Sequence, residues 1–142
     1  MYRHILIPTD GSELAERGVA QGLALAKSLG ATVSVIFVVE PFSEVSSRFL
    51  EAVVAYVEFR KQQATSVLDR VANEAKTAGI SCQTIQVESG QPHQAIIAAA
   101  ADKGCDLIVM SSHGRSGVAA LLIGSVTSKV LTHAKIPVLV CP

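Results

Sequence analysis

Few of the residues that mark specialised protein classes are present in this chain. Its three cysteines, Cys82, Cys105 and Cys141, are odd in number and far apart, which argues against a disulfide framework and against a zinc site. We expect buried, unreactive thiols in a reducing cytoplasm, with a redox role as the alternative. Basic and acidic residues balance at 12 each, so the composition gives no sign of a nucleic-acid-binding or membrane-binding surface.

Long apolar runs are also missing. Hydrophobic residues make up 49% of the chain, but charged residues interrupt them before they could form a membrane-spanning helix. The opening stretch MYRHILIPTDGS reaches Pro8 and Asp10 too early for the apolar core of a signal peptide, which predicts a cytoplasmic protein. The length of 142 residues fits a single domain, residues 1–142, without a linker or internal repeat.

Several catalytic and cofactor motifs are absent from the sequence. There is no GxxxxGK[ST], no GxGxxG after the first apolar segment, and Ser116 in HGRSGV does not match GxSxG. These absences argue against a P-loop ATPase, ordinary dinucleotide binding and a hydrolase nucleophile elbow. His4, His93 and His133 lack ligand-like spacing. We therefore predict no catalytic residues and no metal ligands.

What the sequence does contain is a regular alternation of strands and helices. The first two strands are continuously apolar, which is typical of strands buried on both faces, and the third alternates, as an edge or half-covered strand would. The predicted strands are Arg3–Pro8, Thr32–Val39, Ser81–Val87, Leu107–Met110 and Pro137–Cys141.

The intervening segments carry helix start and stop signals. Ser12 is the predicted N-cap of a helix that ends at Gly30, and a long helix after Pro41 ends at Gly79. Whether this second helix is broken near Arg60 and Lys61 is left open. The remaining helices are predicted over 92–103 and 125–133. Five strands alternating with helices predict an α/β sandwich, with a parallel sheet covered on both faces.

Two loops after predicted strands carry unusual chemistry. They are PTDGS at Pro8–Ser12 and SSHGRSG at Ser111–Gly117. In an open parallel sheet, ligands bind beyond the carboxyl ends of the strands. Gly114 and Gly117 allow a ligand to approach the backbone, and Gly124–Ser125 precedes a helix whose free N–H groups attract phosphate. The alternative is that the glycines only punctuate a loop and Ser125 only caps the last helix.

The stretches ILIPTDGS, MSSHGRSGVAALLIGSVTSKVL and IPVLV resemble the universal stress protein family, in order and over essentially the whole chain. Members that bind ATP have the pattern G-x2-G-x9-G-[ST]. The matching positions here are Ser111, Gly114, Gly124 and Ser125, so the first glycine of the pattern is a serine. The resemblance implies a three-layer, Rossmann-like fold of the adenine nucleotide alpha-hydrolase type, with a five-stranded parallel sheet in the order 3-2-1-4-5.

The resemblance also implies the ligand and the residues that hold it. The ligand would be ATP, ADP or AMP, and Mg²⁺ could accompany the phosphates. Asp10 would meet adenine or ribose, Pro8 and Thr9 would shape the floor, and the backbone of Val38 would read the adenine edge. Met110 and Ser111 would lie near the ribose. The residues implied around the phosphates are His113, Gly114, Arg115, Gly124, Ser125 and Val126, with Thr127 nearby.

Simpler roles remain open for three of these residues. Asp10 could only organise the turn before Ser12, His113 could be a solvated loop residue, and Arg115 could be a loop arginine that meets only water. The last strand would lie at a sheet edge, where an apolar strand invites pairing with another copy. The resemblance implies a homodimer through this strand.

Three functions follow from these observations. The leading hypothesis is an adenine-nucleotide-binding stress-response regulator, with at most weak ATPase or autophosphorylation activity. The second is a nucleotide-independent, dimeric interaction module of the same family, which Ser111 favours and which Gly114, Gly124 and Ser125 oppose. The third is an adenylyl-transfer enzyme, which predicts a signature such as SGGxDS or HIGH near the first strand, where neither occurs.

Overall fold

The computed structural model describes residues 1–41, 50–114 and 123–142. Strands and helices alternate along these ranges, as the sequence predicts. The strands are β1 His4–Pro8, β2 Thr32–Val39, β3 Cys82–Glu88, β4 Leu107–Ser111 and β5 Val138–Cys141. The helices are α1 Glu13–Leu29, α2 Leu50–Thr77, α3 Pro92–Lys103 and α4 Ser125–His133.

The five strands form one parallel sheet in the order β3-β2-β1-β4-β5, which confirms the predicted order and fold class. β1 lies at the centre, where Ile5 pairs with Val33 of β2 and with Leu107 of β4. β3 and β5 are the edge strands. The strand order therefore reverses between β1 and β4, whose carboxyl ends are neighbours.

Each face of the sheet has its own apolar core. Alternate residues of β1 point to opposite faces, so Ile5 and Ile7 belong to the core beneath α1 and α2, and Leu6 belongs to the core beneath α3 and α4. All three side chains are fully buried. Burial on both faces explains why the central strands read as unbroken apolar runs.

Helix α1 begins and ends where the sequence predicts. The Ser12 side chain accepts a hydrogen bond from the backbone N–H of Ala15 at 3.1 Å, and Gly30 closes the helix in the left-handed conformation at φ 68°. The helix also lies unusually close to the sheet. A Cβ atom on Gly18 would stand 2.7 Å from the backbone nitrogen of Ser111, so α1 packs directly on the end of β4.

Helix α2 shows where periodicity alone was misleading. It runs without interruption from Leu50 to Thr77, so the break considered near Arg60 and Lys61 does not occur. Arg60 is buried on the inner face of the helix, whereas the side chain of Lys61 is 40% exposed. A charged residue on the inner face interrupts the apolar stripe in the sequence without interrupting the helix.

The predicted strands β1, β3, β4 and β5 differ from the observed ones by a residue at one or both ends.

Candidate functional site

The loops after β1 and β4 border one cavity at the carboxyl end of the sheet. The cavity contains about 930 Å³ of space, its open mouth included. All twelve described residues of the predicted site line it: Pro8, Thr9, Asp10, Val38, Met110, Ser111, His113, Gly114, Gly124, Ser125, Val126 and Thr127. Arg115 and Gly117 lie outside the described residues.

The loop after β1 is held by its own polar side chains. The Thr9 hydroxyl accepts a hydrogen bond from the Gly11 N–H at 3.2 Å, and Asp10 Oδ1 accepts one from the Ser12 N–H at 3.0 Å. Asp10 therefore does organise the turn before Ser12, and its carboxylate also lines the cavity. The turn fixes this carboxylate at the point where α1 begins.

Two hydrogen bonds join the end of β4 to the start of α4. The buried Thr127 hydroxyl donates to the Ser111 carbonyl oxygen at 2.9 Å, and the Gly124 N–H donates to the Ser112 carbonyl oxygen at 2.7 Å. The Ser111 hydroxyl donates to the carbonyl oxygen of His113 at 2.5 Å. Ser111 and Thr127 thus use their hydroxyl groups to shape the loop.

The two pattern glycines lie where side chains would not fit. A Cβ atom on Gly114 would collide with the Asp10 carboxylate, which places the two loops in direct contact. A Cβ atom on Gly124 would lie 3.2 Å from the Ser112 carbonyl oxygen and 3.3 Å from His113 Cα. Both glycines therefore lie at crowded positions, where a side chain would press on the neighbouring loop.

The amino end of α4 supplies hydrogen-bond donors to the cavity. The N-cap residue is Gly124, which makes no side-chain capping bond, so the alternative of Ser125 as the cap is wrong. A helix leaves its first N–H groups without intrahelical partners, and its dipole is positive at this end. Ser125 and Val126 in the first turn line the cavity. This arrangement suits an anionic group.

His113 lies at the cavity rather than in open solvent. It is half-buried and lines the cavity, and its Nδ1 atom is 3.1 Å from the Ser112 hydroxyl oxygen. That contact orients the ring relative to the β4 loop. The role of His113 at a ligand stays a prediction, beside the alternative of a solvated loop residue.

Sequence reasoning missed six residues that line the cavity. They are Ala15, Ile36, Glu40, Arg60, Pro92 and Ile96. Two signals could have found some of them. Ile36 lies on the same face of β2 as Val38, and Pro92 and Ile96 begin α3 at the same end of the sheet. Arg60 had no such signal, because it comes from the middle of α2.

The thiols lie away from this chemistry. Cys105 and Cys141 are buried, and Cys82 is half-buried. Burial, with a smaller contribution from Asp106, raises the pKa of the Cys105 thiol to about 11, so this thiol stays protonated and unreactive at neutral pH.

Within the described ranges, no three His, Cys, Asp or Glu side chains gather closely enough to hold a metal ion. In the same ranges, no helix is both long and apolar enough to cross a bilayer.

Comparisons with known proteins agree on one family. The model of the universal stress protein family matches residues 1–142. Universal stress protein MJ0531 of Methanocaldococcus jannaschii is 33% identical over 142 residues, covering 99% of this chain and 82% of the relative. The structure of universal stress protein UspA from Lactobacillus plantarum superposes with a TM-score of 0.90 at 22% identity, covering 99% and 98% of the two chains. A universal stress protein solved in complex with cAMP superposes with a TM-score of 0.73 at 23% identity, covering 99% and 97%.

Proposed function

The chain belongs to the universal stress protein family, and from that premise we propose that it binds an adenine nucleotide, with ATP as the leading ligand. We further propose a stress-response regulator whose conformation or partner binding changes with the nucleotide. The observation that carries this proposal is the single cavity lined by all twelve described residues of the predicted site. The complex of a relative with cAMP supports an adenine nucleotide in particular.

The cavity offers different chemistry to the two ends of such a ligand. Pro8, Ile36 and Val38 give the β1–β2 side an apolar surface that suits a purine base. On the β4 side, Ser125 and Val126 in the first turn of α4 line the cavity, and the backbone N–H groups of a first helical turn have no intrahelical partners and suit phosphates. Asp10 lies at the β1 loop between these two sides. Mg²⁺ would arrive with the phosphates and would neutralise part of their charge.

A cytoplasmic location and a single domain over residues 1–142 form part of the proposal. The three cysteines are free thiols, and a protein of this kind keeps its thiols reduced in the cytoplasm. Two of them are buried in the cores that hold the helices to the sheet.

Calorimetry on nucleotide-stripped protein, titrated with ATP and with AMP, tests the binding proposal. We expect ATP to bind more tightly than AMP, because only ATP extends its outer phosphates along the amino end of α4. Replacing Gly124 with Val should remove this difference, because the new side chain would press on Ser112 and His113. Gly90→Val is the matched control, since a Cβ on Gly90 meets no atom within 4 Å.

The second candidate is the nucleotide-independent, dimeric interaction module. Its support is Ser111, where the ATP-binding pattern has glycine. No heat and no thermal shift at millimolar ATP or AMP would contradict nucleotide binding and would favour this module.

We also propose that β5 forms a homodimer contact. β5 is an edge strand, and Leu139 is 45% exposed beside its β4 partner Val109. An exposed apolar edge strand is a template for pairing with a second copy. Leu139→Pro should yield monomers or aggregates in light scattering, and an unchanged dimer would contradict the proposal.

A further inference from the structure

Two histidines meet on the face of the molecule that α3 and α4 cover, although they are far apart in the sequence. His93 lies in the first turn of α3, and His133 is the last residue of α4. The centres of their rings are 5.7 Å apart, and the ring planes are tilted by 34°. The sequence gave no sign of this pair, because it joins two separate helices.

Apolar packing holds the two helices that carry the pair. Ile96 lies one turn after His93 on α3, and Val130 lies one turn before His133 on α4. Both apolar side chains are buried in the core that α3 and α4 share. The backbone positions of the two histidines are therefore set before any ligand arrives, which favours a ligand that needs both rings.

The ring nitrogens of the pair are accessible. His93 is half-buried and His133 is exposed. Among the residues that the structure describes, neither ring takes part in a hydrogen bond or an ion pair. His4 differs, because its Nε2 atom lies 2.8 Å from the hydroxyl oxygen of the buried Ser34. A neutral imidazole nitrogen that lacks a protein partner can bind a metal ion.

The distance between the two rings suits one shared metal ion. Imidazole nitrogens bind zinc at about 2.0–2.1 Å, so two rings on one tetrahedral ion have their centres roughly 5–6 Å apart. The observed separation of 5.7 Å lies in this range. Imidazole ligands suit zinc, nickel and copper, whereas magnesium and calcium prefer oxygen ligands.

We propose that His93 and His133 form a binding site for one divalent transition-metal ion of the zinc, nickel and copper class, with water in the remaining coordination positions. Two protein ligands make a weaker site than the three or four of catalytic and structural zinc sites. The ion would join the first turn of α3 to the last turn of α4. Neither histidine lines the cavity, so the inference does not rest on the proposed nucleotide binding.

One neighbouring cation acts against the bound ion. Lys129 lies one turn before His133 on α4, and burial, Lys129 and His133 all lower the pKa of His93. The positive charge of Lys129 also repels a metal ion at the pair. Lys129 is exposed, so this repulsion is modest, and Lys129→Gln should tighten zinc binding roughly twofold to fivefold.

The first test is calorimetry with zinc, nickel and magnesium chloride. The protein is chelator-treated, carries no oligohistidine tag and is free of nucleotide. Zinc and nickel should each bind as one ion per chain, and magnesium should not bind. His93→Gln and His133→Gln should each weaken zinc binding by at least about tenfold, because each removes one of two coordinating nitrogens. His4→Gln is the matched control and should leave zinc affinity unchanged, because the His4 ring already contacts Ser34.

Two results of calorimetry would overturn the inference. Unchanged zinc affinity in both His93→Gln and His133→Gln would assign the zinc to other groups, such as the half-buried thiol of Cys82. Binding of inorganic phosphate that is lost in His93→Gln and in Lys129→Gln would make the cluster an anion site. Neither result bears on nucleotide binding, so the two proposals can fail separately.

A second readout uses the unmodified protein and the nuclear magnetic resonance signals of the histidine rings. Nickel is paramagnetic, so one equivalent should broaden the ring signals of His93 and His133 together. Broadening of one ring alone, or of neither, would show that the rings only contact each other, and the inference would be wrong. This measurement decides the question even if a histidine variant fails to fold.

Discussion

At the amino end of the sheet, three glycines follow α1, α2 and α3 in the left-handed conformation, and no atom lies within 4 Å of where a side chain would point. They are Gly30, Gly79 and Gly104. At the carboxyl end, Gly114 and Gly124 have no positive φ but are crowded by Asp10 and by the Ser112–His113 backbone. The first group is needed for backbone conformation and the second for space. Among these five glycines, crowding marks the two that lie at the cavity.

The largest effect should come from Gly114→Ala. The added methyl group would overlap the Asp10 carboxylate and push the two cavity loops apart. Overpacking of this kind costs about 1–3 kcal/mol of stability, and because the displaced Asp10 lines the cavity we expect ATP affinity to fall as well. Calorimetry measures the ATP affinity of Gly114→Ala, with Gly90→Ala as the control. An unchanged ATP affinity in Gly114→Ala would contradict the claim that glycines at the carboxyl end of the sheet are needed for space.

Gly104→Ala tests the other end of the sheet. Gly104 has φ 68°, and placing alanine in the left-handed conformation costs about 1–2 kcal/mol of stability. Urea denaturation should show this loss, while ATP affinity of the folded protein stays the same because Gly104 lies outside the cavity. A change in ATP affinity would contradict the separation of the two ends.

Two threonines in α4 give a smaller and closely matched comparison. The Thr127 hydroxyl donates to the Ser111 carbonyl oxygen in a buried contact, and the Thr132 hydroxyl donates to the Ser128 carbonyl oxygen at the exposed end of the helix. Thr127→Val should lower the free energy of unfolding by about 1 kcal/mol, because a buried carbonyl loses a donor. Thr132→Val should stay within about 0.5 kcal/mol of the unmodified protein. Equal losses of unfolding free energy in the two variants would show that the Thr127 hydrogen bond stabilises the carboxyl end no more than an exposed hydrogen bond does.

The smallest effect concerns Asp106, which lies at the amino end as Asp10 lies at the carboxyl end. Burial acts to raise the pKa of Asp106, but hydrogen bonds from the backbone N–H groups of Arg3 and His4 outweigh it and hold the pKa below its ordinary value of 3.8. The stability from this shift is present above pH 3.8 and is lost as the pH falls through the lower pKa of the folded state.

Urea denaturation at several pH values should therefore show a smaller acid-induced loss in Asp106→Asn than in the unmodified protein. ATP affinity at neutral pH should be the same in both. Identical pH profiles would show that Asp106 contributes nothing through its charge.

Much of the fold could be predicted because its signals are local. Ser12 and Gly30 bound α1 through contacts with nearby residues of the same chain segment. Apolar runs revealed the buried strands for the same reason. The break considered in α2 was wrong because a charged residue counts against the apolar stripe, and only the tertiary structure shows that Arg60 packs on Phe37.

The candidate site divides in the same way. The β4–α4 side lies within one stretch of the chain, in which Ser111 and Thr127 are 16 positions apart, and the G-x2-G-x9-G-[ST] spacing of the family that the chain resembles pointed to it. The α2 side depends on Arg60 and Phe37, which lie on different elements and have no spacing that relates them. The part of a site that lies within one motif can be predicted from one sequence. The part that joins residues of separate elements, with no motif to relate them, needs the fold.

The central position of β1 has a consequence for the order in which the molecule is completed. Arg3 and Asp106 form a hydrogen bond although they are 103 positions apart in the sequence. Asp10 and the loop that carries Gly114 are separated by a similar length of chain. Contacts at such separation form late, because closing a long loop is entropically costly. A nascent chain that ends before α4 has the loops after β1 and β4 but lacks the cavity residues Ser125, Val126 and Thr127. The proposed nucleotide would therefore find its full set of contacts only after α4 has formed, and it would stabilise the chain from that stage on.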